Sequence, residues 1–176
     1  MESLAAMKST GPYYRRIGDE VYVSAVALRA TKGPAQLIMS SAYSLNLWDL
    51  QHFMVLVKPY SSNPDPHLSQ VLVFDFQPED PENIFVGLSA LSGGSIKGSV
   101  FRRKLRRLPN RKCWFVGHSI VDTTEDVINN FNKNWETELK IGHHDCRHYT
   151  NELVKCLTGE ENVLDRLRTE PLQQDS

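Results

Sequence analysis

The sequence predicts an α+β domain: a small antiparallel sheet from the front of the chain, packed by helices near the C-terminus. Three observations carry that reading. Phe53–Val57 and Val71–Phe76 are apolar runs of strand length. Prolines and polar residues punctuate the chain between and after them. Apolar residues at helical spacing begin only beyond Thr123. Strands first and helices afterwards, without alternation, is the α+β order.

The 176 residues suit one domain, and 40% apolar with 23% charged residues is a globular balance. A formal charge of −1 argues against a wholesale polyanion binder. The three cysteines, Cys113, Cys146 and Cys156, are too few and too odd in number for a disulfide scaffold. They suit a reducing compartment, so the cytoplasm is expected, with the nucleus or a membrane surface as alternatives. No apolar run approaches the roughly 18 residues of a membrane span, and Met1–Thr10 has no secretory pattern. The expected organisation is an irregular segment over 1–18, one domain over 19–170 and a polar tail over 171–176.

Taken in order, Val21–Ala30 reads as a strand, broken by Gly33-Pro34. Ala35–Leu47 is ambiguous. Phe53–Val57 reads as a central strand and Ser61–Ser69 as a loop. Val71–Phe76 is a second strand, antiparallel to the first by proximity. Four glycines between Asn83 and Ser99 suggest a loop with short strand pieces. Val100–Leu108 is open, although Phe101, Leu105 and Leu108 are spaced as one helical face. Cys113–Val116 reads as a short strand. Thr123 and Asp126 have capping-box spacing, and Val127, Ile128, Phe131, Trp135 and Leu139 recur helically up to Gly142. Asp145 is a fitting N-cap for the next helix, with Tyr149, Leu153, Cys156 and Leu157 as its apolar stripe and Gly159 at its end. A short helix is expected over Glu161–Leu167.

The chemistry concentrates in His143–Tyr149. If Asp145 caps the helix, Cys146 is its first residue. The spacing to Tyr149 and Leu153 then turns Cys146 toward the protein. Unpaired N–H groups and the helix dipole would stabilise a thiolate there and hold an oxyanion. His148 falls on the other side, as a surface residue. A nucleophilic thiolate needs a base, and the base an orienting group. His52 opens the strongest strand, and alternation places it with Met54 and Leu56. A helix packed on that face would bring Cys146 to it. Asp75, between Phe74 and Phe76, is a carboxylate that needs a partner. On a hairpin it can lie beside or diagonal to His52, although the register is not fixed. Cys146 as nucleophile, His52 as base then acid and Asp75 as orienter complete the set.

Asp145-Cys146-Arg147-His148-Tyr149-Thr150-Asn151-Glu152-Leu153 resembles the Asn-Cys-x-His-Phe-x-Asn-x-Leu helix start of circularly permuted papain-fold enzymes. These are the lecithin retinol acyltransferase-like family and the PPPDE-type thiol peptidases. His52-Phe53-Met54-Val55-Leu56-Val57 is similar to their His-led strand, and Val73-Phe74-Asp75-Phe76 stands where a second polar residue follows. The resemblance covers roughly Gln51–Gly159. It implies a permuted papain-like fold and a thioester acyl-enzyme formed from a peptide, isopeptide or lipid ester, with no cofactor and no metal. Asp145 stands where Asn is usual, and its charge beside the thiol would oppose thiolate formation. The third residue is not fixed by the resemblance, so a Cys–His dyad is also open.

Plainer readings stand beside these. Cys146 can be a small buried hydrophobe, as Cys113 and Cys156 are read to be. His52 can donate to a backbone carbonyl, and Asp75 can be an edge-strand charge. A non-catalytic interaction domain on the same fold is the competing function. His143, His144, Cys146 and His148 form a dense ligand set, but zinc sites usually pair two separated clusters. Arg102, Arg103, Lys104, Arg106, Arg107, Arg111 and Lys112 form a basic run that the near-zero net charge conceals. It reads as a solvated face or as a contact for an anionic surface through Arg102, Arg103, Lys104, Arg106 and Arg107. No specific nucleic-acid motif is present.

Overall fold

Val, Phe and Leu dominate the segments that pair into the sheet, and the strands with unbroken apolar runs lie at its centre. In the computed structural model, residues 18–27, 45, 48–60, 70–81, 83, 89 and 92–169 are described. The Gly33-Pro34 break, nearly all of the N-terminal segment, most of Ala35–Leu47, the Ser61–Ser69 loop and the 171–176 tail lie outside them.

The strands are β1 (Glu20–Ala27), β2 (Gln51–Lys58), β3 (Val71–Pro78), β4 (Ile96–Leu105), β5 (Cys113–His118) and β6 (Glu138–Leu139). The helices are α1 (Thr124–Asn134), α2 (Cys146–Thr158) and α3 (Val163–Thr169). The strands form one open antiparallel sheet in the order β5-β1-β2-β3-β4-β6. The α+β class and the antiparallel β2–β3 pair agree with the sequence. Among the described residues, no helix is long and apolar enough to cross a membrane.

The central strands β2 and β3 are buried on both faces, which accounts for their continuous apolar sequence. On one face Phe53, Val55, Val57, Phe74 and Phe76 meet Tyr149, Leu153 and Leu157 of α2. On the other, Met54, Leu56, Val71 and Val73 form a second cluster with Tyr22, Leu108 and Cys113. Cys146, Tyr149, Thr150, Leu153, Val154 and Leu157 share one buried arc of α2. Asp145 caps this helix, and Gly159 ends it in the left-handed region at φ 78°, where a side chain would be strained. Asn151 accepts a hydrogen bond from the Leu164 N–H and so ties α3 to α2.

Val100–Leu108, open in the sequence, is strand over most of its length: Phe101 and Leu105 belong to β4, and Leu108 packs under the second cluster. Three expectations need correction. The helix after Thr123 ends at Asn134, not near Leu139. Trp135 turns into extended backbone and stacks on His144 at 4.5 Å, while Leu139 enters β6 opposite Ile96. Aromatic packing and strand pairing outweigh helical periodicity there. Thr123 is the N-cap of α1 but makes no side-chain capping bond. Cys156 is exposed, because it lies at the margin of the buried arc, facing an open groove beside Val127, Phe131 and Trp135.

Candidate functional site

The site forms where the start of β2, the end of β3 and the N-terminus of α2 come together. The β2–β3 ladder covers Val55–Val57 against Leu72–Phe74 and stops short of His52 and Asp75. Beyond it the two polar side chains meet: His52 Nε2 lies 2.8 Å from Asp75 Oδ2. His52 is buried and Asp75 is fully enclosed. With Nε2 occupied by Asp75, Nδ1 is the ring nitrogen left for the thiol, and the Cys146 side chain lies near enough to the ring to act on its protonation.

The route by which Cys146 arrives corrects the expectation. Alternation does separate Met54 and Leu56 from Phe53 and Val55, but α2 packs on the Phe53 face. The thiol meets His52 where β2 and β3 have ceased to pair, carried by a helix that packs on the Phe53 face.

The electrostatics alternate in sign along the line of groups. Burial works against a charged His52 ring. The negative charge of Cys146 opposes it, followed by the hydrogen bonds to Asp75 and Cys146 and the charge of Asp75, and the imidazole is pushed up to about 9. Asp75 Oδ1 accepts a 2.7 Å hydrogen bond from Arg103 on β4. Arg103 was placed in the surface basic run by its neighbours; its partner is a buried carboxylate. Arg102 is likewise engaged, pairing with Glu125 and lying 5.9 Å over the Phe74 ring. Arg102, Lys104, Arg106, Arg107 and Arg111 are exposed, so Arg103 is the arginine of the run that turns inward.

Asp145 behaves differently from the isolated charge that its sequence position suggests. Its carboxylate accepts from the Arg147 guanidinium at 2.8 Å, the Gly142 N–H at 2.7 Å and the Arg147 N–H at 3.0 Å. His148 completes a capping box: its Nδ1 lies 3.4 Å from the Asp145 N–H and 3.0 Å from Oδ1. Burial raises the pKa of the Asp145 carboxyl, but these partners outweigh it and hold the group well below the usual carboxylate range. The charge beside the thiol is therefore compensated by Arg147, and His148 is a capping residue rather than a bystander on the surface.

His143 is exposed, while His144 stacks on Trp135 and donates its Nδ1–H to the Glu138 carbonyl at 2.7 Å. Those histidines and Cys146 point to different partners. Among the described residues, no group of three or more His, Cys, Asp and Glu side chains is gathered as a metal would need.

The structure thus brings Cys146, His52 and Asp75 into one line, as their types and order suggested. Sequence reasoning missed Arg103, Arg147 and Gly142. The signal for Arg103 was indirect: a carboxylate inside a strand requires a cation, and β4 carries two arginines opposite β3. No protein-family model matches the chain, and no curated protein or solved structure matches it either.

Proposed function

We propose that the chain is a cysteine-dependent hydrolase or acyltransferase of the permuted papain-like type, working through a thioester acyl-enzyme. The observation that carries this reading is the 2.8 Å contact between His52 and the buried Asp75 carboxylate, with the buried Cys146 thiol beside the same ring.

In the proposed reaction His52 takes the Cys146 thiol proton and the sulfur attacks the carbonyl carbon of a peptide, isopeptide or lipid ester. The carbonyl electrons move to oxygen, giving a tetrahedral oxyanion beside the start of α2. Asp145 takes the N–H groups of Arg147 and His148 but not that of Cys146, so the Cys146 N–H is the helix-terminal donor for the oxyanion. The intermediate collapses, the carbon–nitrogen or carbon–oxygen bond to the leaving group breaks, and His52 gives its proton to that group. Asp75 keeps the imidazole oriented throughout. Water, or an acceptor hydroxyl or amine, then loses a proton to His52 and attacks the thioester, which frees the acid or the acylated product and restores the thiol.

The Arg147 guanidinium balances the Asp145 charge that favoured a non-catalytic domain, which supports this reading. The test is labelling of the full chain by a carbonyl-mimicking electrophile. Cys146→Ala should abolish the adduct and His52→Ala should slow its formation by about 10²-fold or more. Equal labelling of wild type and Cys146→Ala would sink the proposal. Intact mass of a trapped acyl adduct separates a fatty acyl group from a peptidyl one.

A further inference from the structure

We infer that Arg103 is a positioning residue of this site, acting through Asp75 to keep His52 in the tautomer and charge state that Cys146 requires. This rests on the proposed thiol chemistry and adds a fourth member to it.

Asp75 has no exposed surface, and each of its oxygens has one charged partner: Oδ2 the His52 ring and Oδ1 the Arg103 guanidinium. Arg103 fixes Oδ1, so that Oδ2 is left facing His52 Nε2. An acceptor held there keeps the ring hydrogen on Nε2 and leaves Nδ1 toward the thiol.

The sheet register makes the contact. Asp75 stands opposite Phe101, and Val73 opposite Arg103. Residues 73, 75, 101 and 103 therefore share a face, and Arg103 approaches Asp75 on the diagonal. The Arg103 side chain is 39% exposed, so its head meets solvent while one of its N–H groups enters the site. Its Nε is buried with no hydrogen-bond partner among the described residues, which leaves the bond to Asp75 as the anchor of the guanidinium.

Other charged and titratable groups also face the site. From α2 these are Cys146 against His52, Tyr149 near enough to Asp75 for its phenol to be raised further by that charge, and Arg147 beside Cys146. Asp145 is neutralised by Arg147. Removing the cation at 103 makes the surroundings of the Cys146–His52 pair more negative, which raises the pH at which each of its members loses a proton.

The experiment is the pH profile of Cys146 alkylation by iodoacetamide in the full chain, read by mass, for wild type, Arg103→Gln, Arg103→Lys and Lys104→Gln. Arg103→Gln should move both limbs of the profile to higher pH and slow alkylation at pH 7 by about tenfold. Arg103→Lys, which keeps the stem and the charge, should hold the wild-type limbs with a few-fold loss of rate. Lys104→Gln, on the same strand, should leave the profile unmoved. A purely structural role for Arg103 changes melting temperature without moving the limbs, and wild-type limbs in folded Arg103→Gln overturn the inference. If Arg103→Gln does not fold, Arg103→Lys decides, since limbs displaced toward those of a free thiol in that variant also overturn it. A wild-type profile that is itself that of a free thiol and insensitive to His52→Ala defeats the proposed function instead.

Discussion

His52 and Asp75 meet at 2.8 Å just where the β2–β3 ladder has ended. Two strands that part by even one pair leave room for side chains that a continuous ladder would hold apart. Asp75→Asn keeps the shape of the residue and removes the charge. It should leave the fold intact and reduce Cys146 labelling by about 10²-fold or more, because an amide presents an N–H as readily as an oxygen to Nε2. Labelling rates beside a melting curve check this; an unchanged rate would show that Cys146 and His52 act as a dyad.

The elevated His52 ring depends on Cys146. Burial is already the largest single influence and acts in the opposite direction, so without the thiol only Asp75 opposes it. In Cys146→Ala the His52 imidazole should fall from about 9 to the ordinary histidine range or below it. Imidazole proton chemical shifts followed against pH measure this. A titration that stays put would assign the elevation to Asp75 alone.

Stability should depend on pH at both ends. The folded His52 value of about 9 lies above the unfolded value of 6.5. Its contribution is complete below 6.5 and is lost as pH rises toward 9. Asp145 is depressed from 3.8, so its contribution is present above that pH and disappears as pH falls further. Urea midpoints should therefore form a plateau between about pH 4 and 6.5 and decline on either side. Cys146→Ala should flatten the alkaline slope and Asp145→Asn the acid one. Slopes indifferent to both substitutions would contradict these assignments.

Gly98 sets the spacing between β4 and the aromatic cluster beside the site. A Cβ there would stand 2.6 Å from two ring atoms of Phe76 and 3.0 Å from the Leu139 Cβ. Phe76 is itself fixed between Trp135, His144 and Tyr149, so the ring cannot simply swing away. Gly98→Ala should cost about 1–3 kcal/mol in urea denaturation and slow Cys146 labelling, since Phe76 is the chain neighbour of Asp75. A variant as stable as wild type would show that the ring has somewhere to go.

What the sequence made legible follows from the range of the forces involved. Asp145 as cap, Gly159 as helix end and the apolar β2 and β3 depend on neighbours a few residues away, and all were readable. Cys146 with His52 was readable from residue type and helix position together. The arrival of α2 on the Phe53 face, the departure of Trp135 from its helix and the reach of Arg103 to Asp75 were not. Each is decided by partners distant in sequence: Tyr149 against Phe53, His144 against Trp135, and a register that pairs Val73 with Arg103. The partners of Asp145 were unreadable for the same reason, since only folded geometry brings the Arg147 guanidinium and the Gly142 N–H onto one carboxylate.

That carboxylate has a consequence for anyone transplanting the site. Gly142, Asp145, Cys146, Arg147 and His148 form a continuous hydrogen-bonded cassette within seven residues of chain. Grafting the cysteine alone onto another helix start would import a thiol without its cap, its counter-ion or its turn. The smallest portable unit is the whole Gly142–His148 stretch, and the recipient must supply a histidine, the carboxylate that holds it and the arginine on that carboxylate.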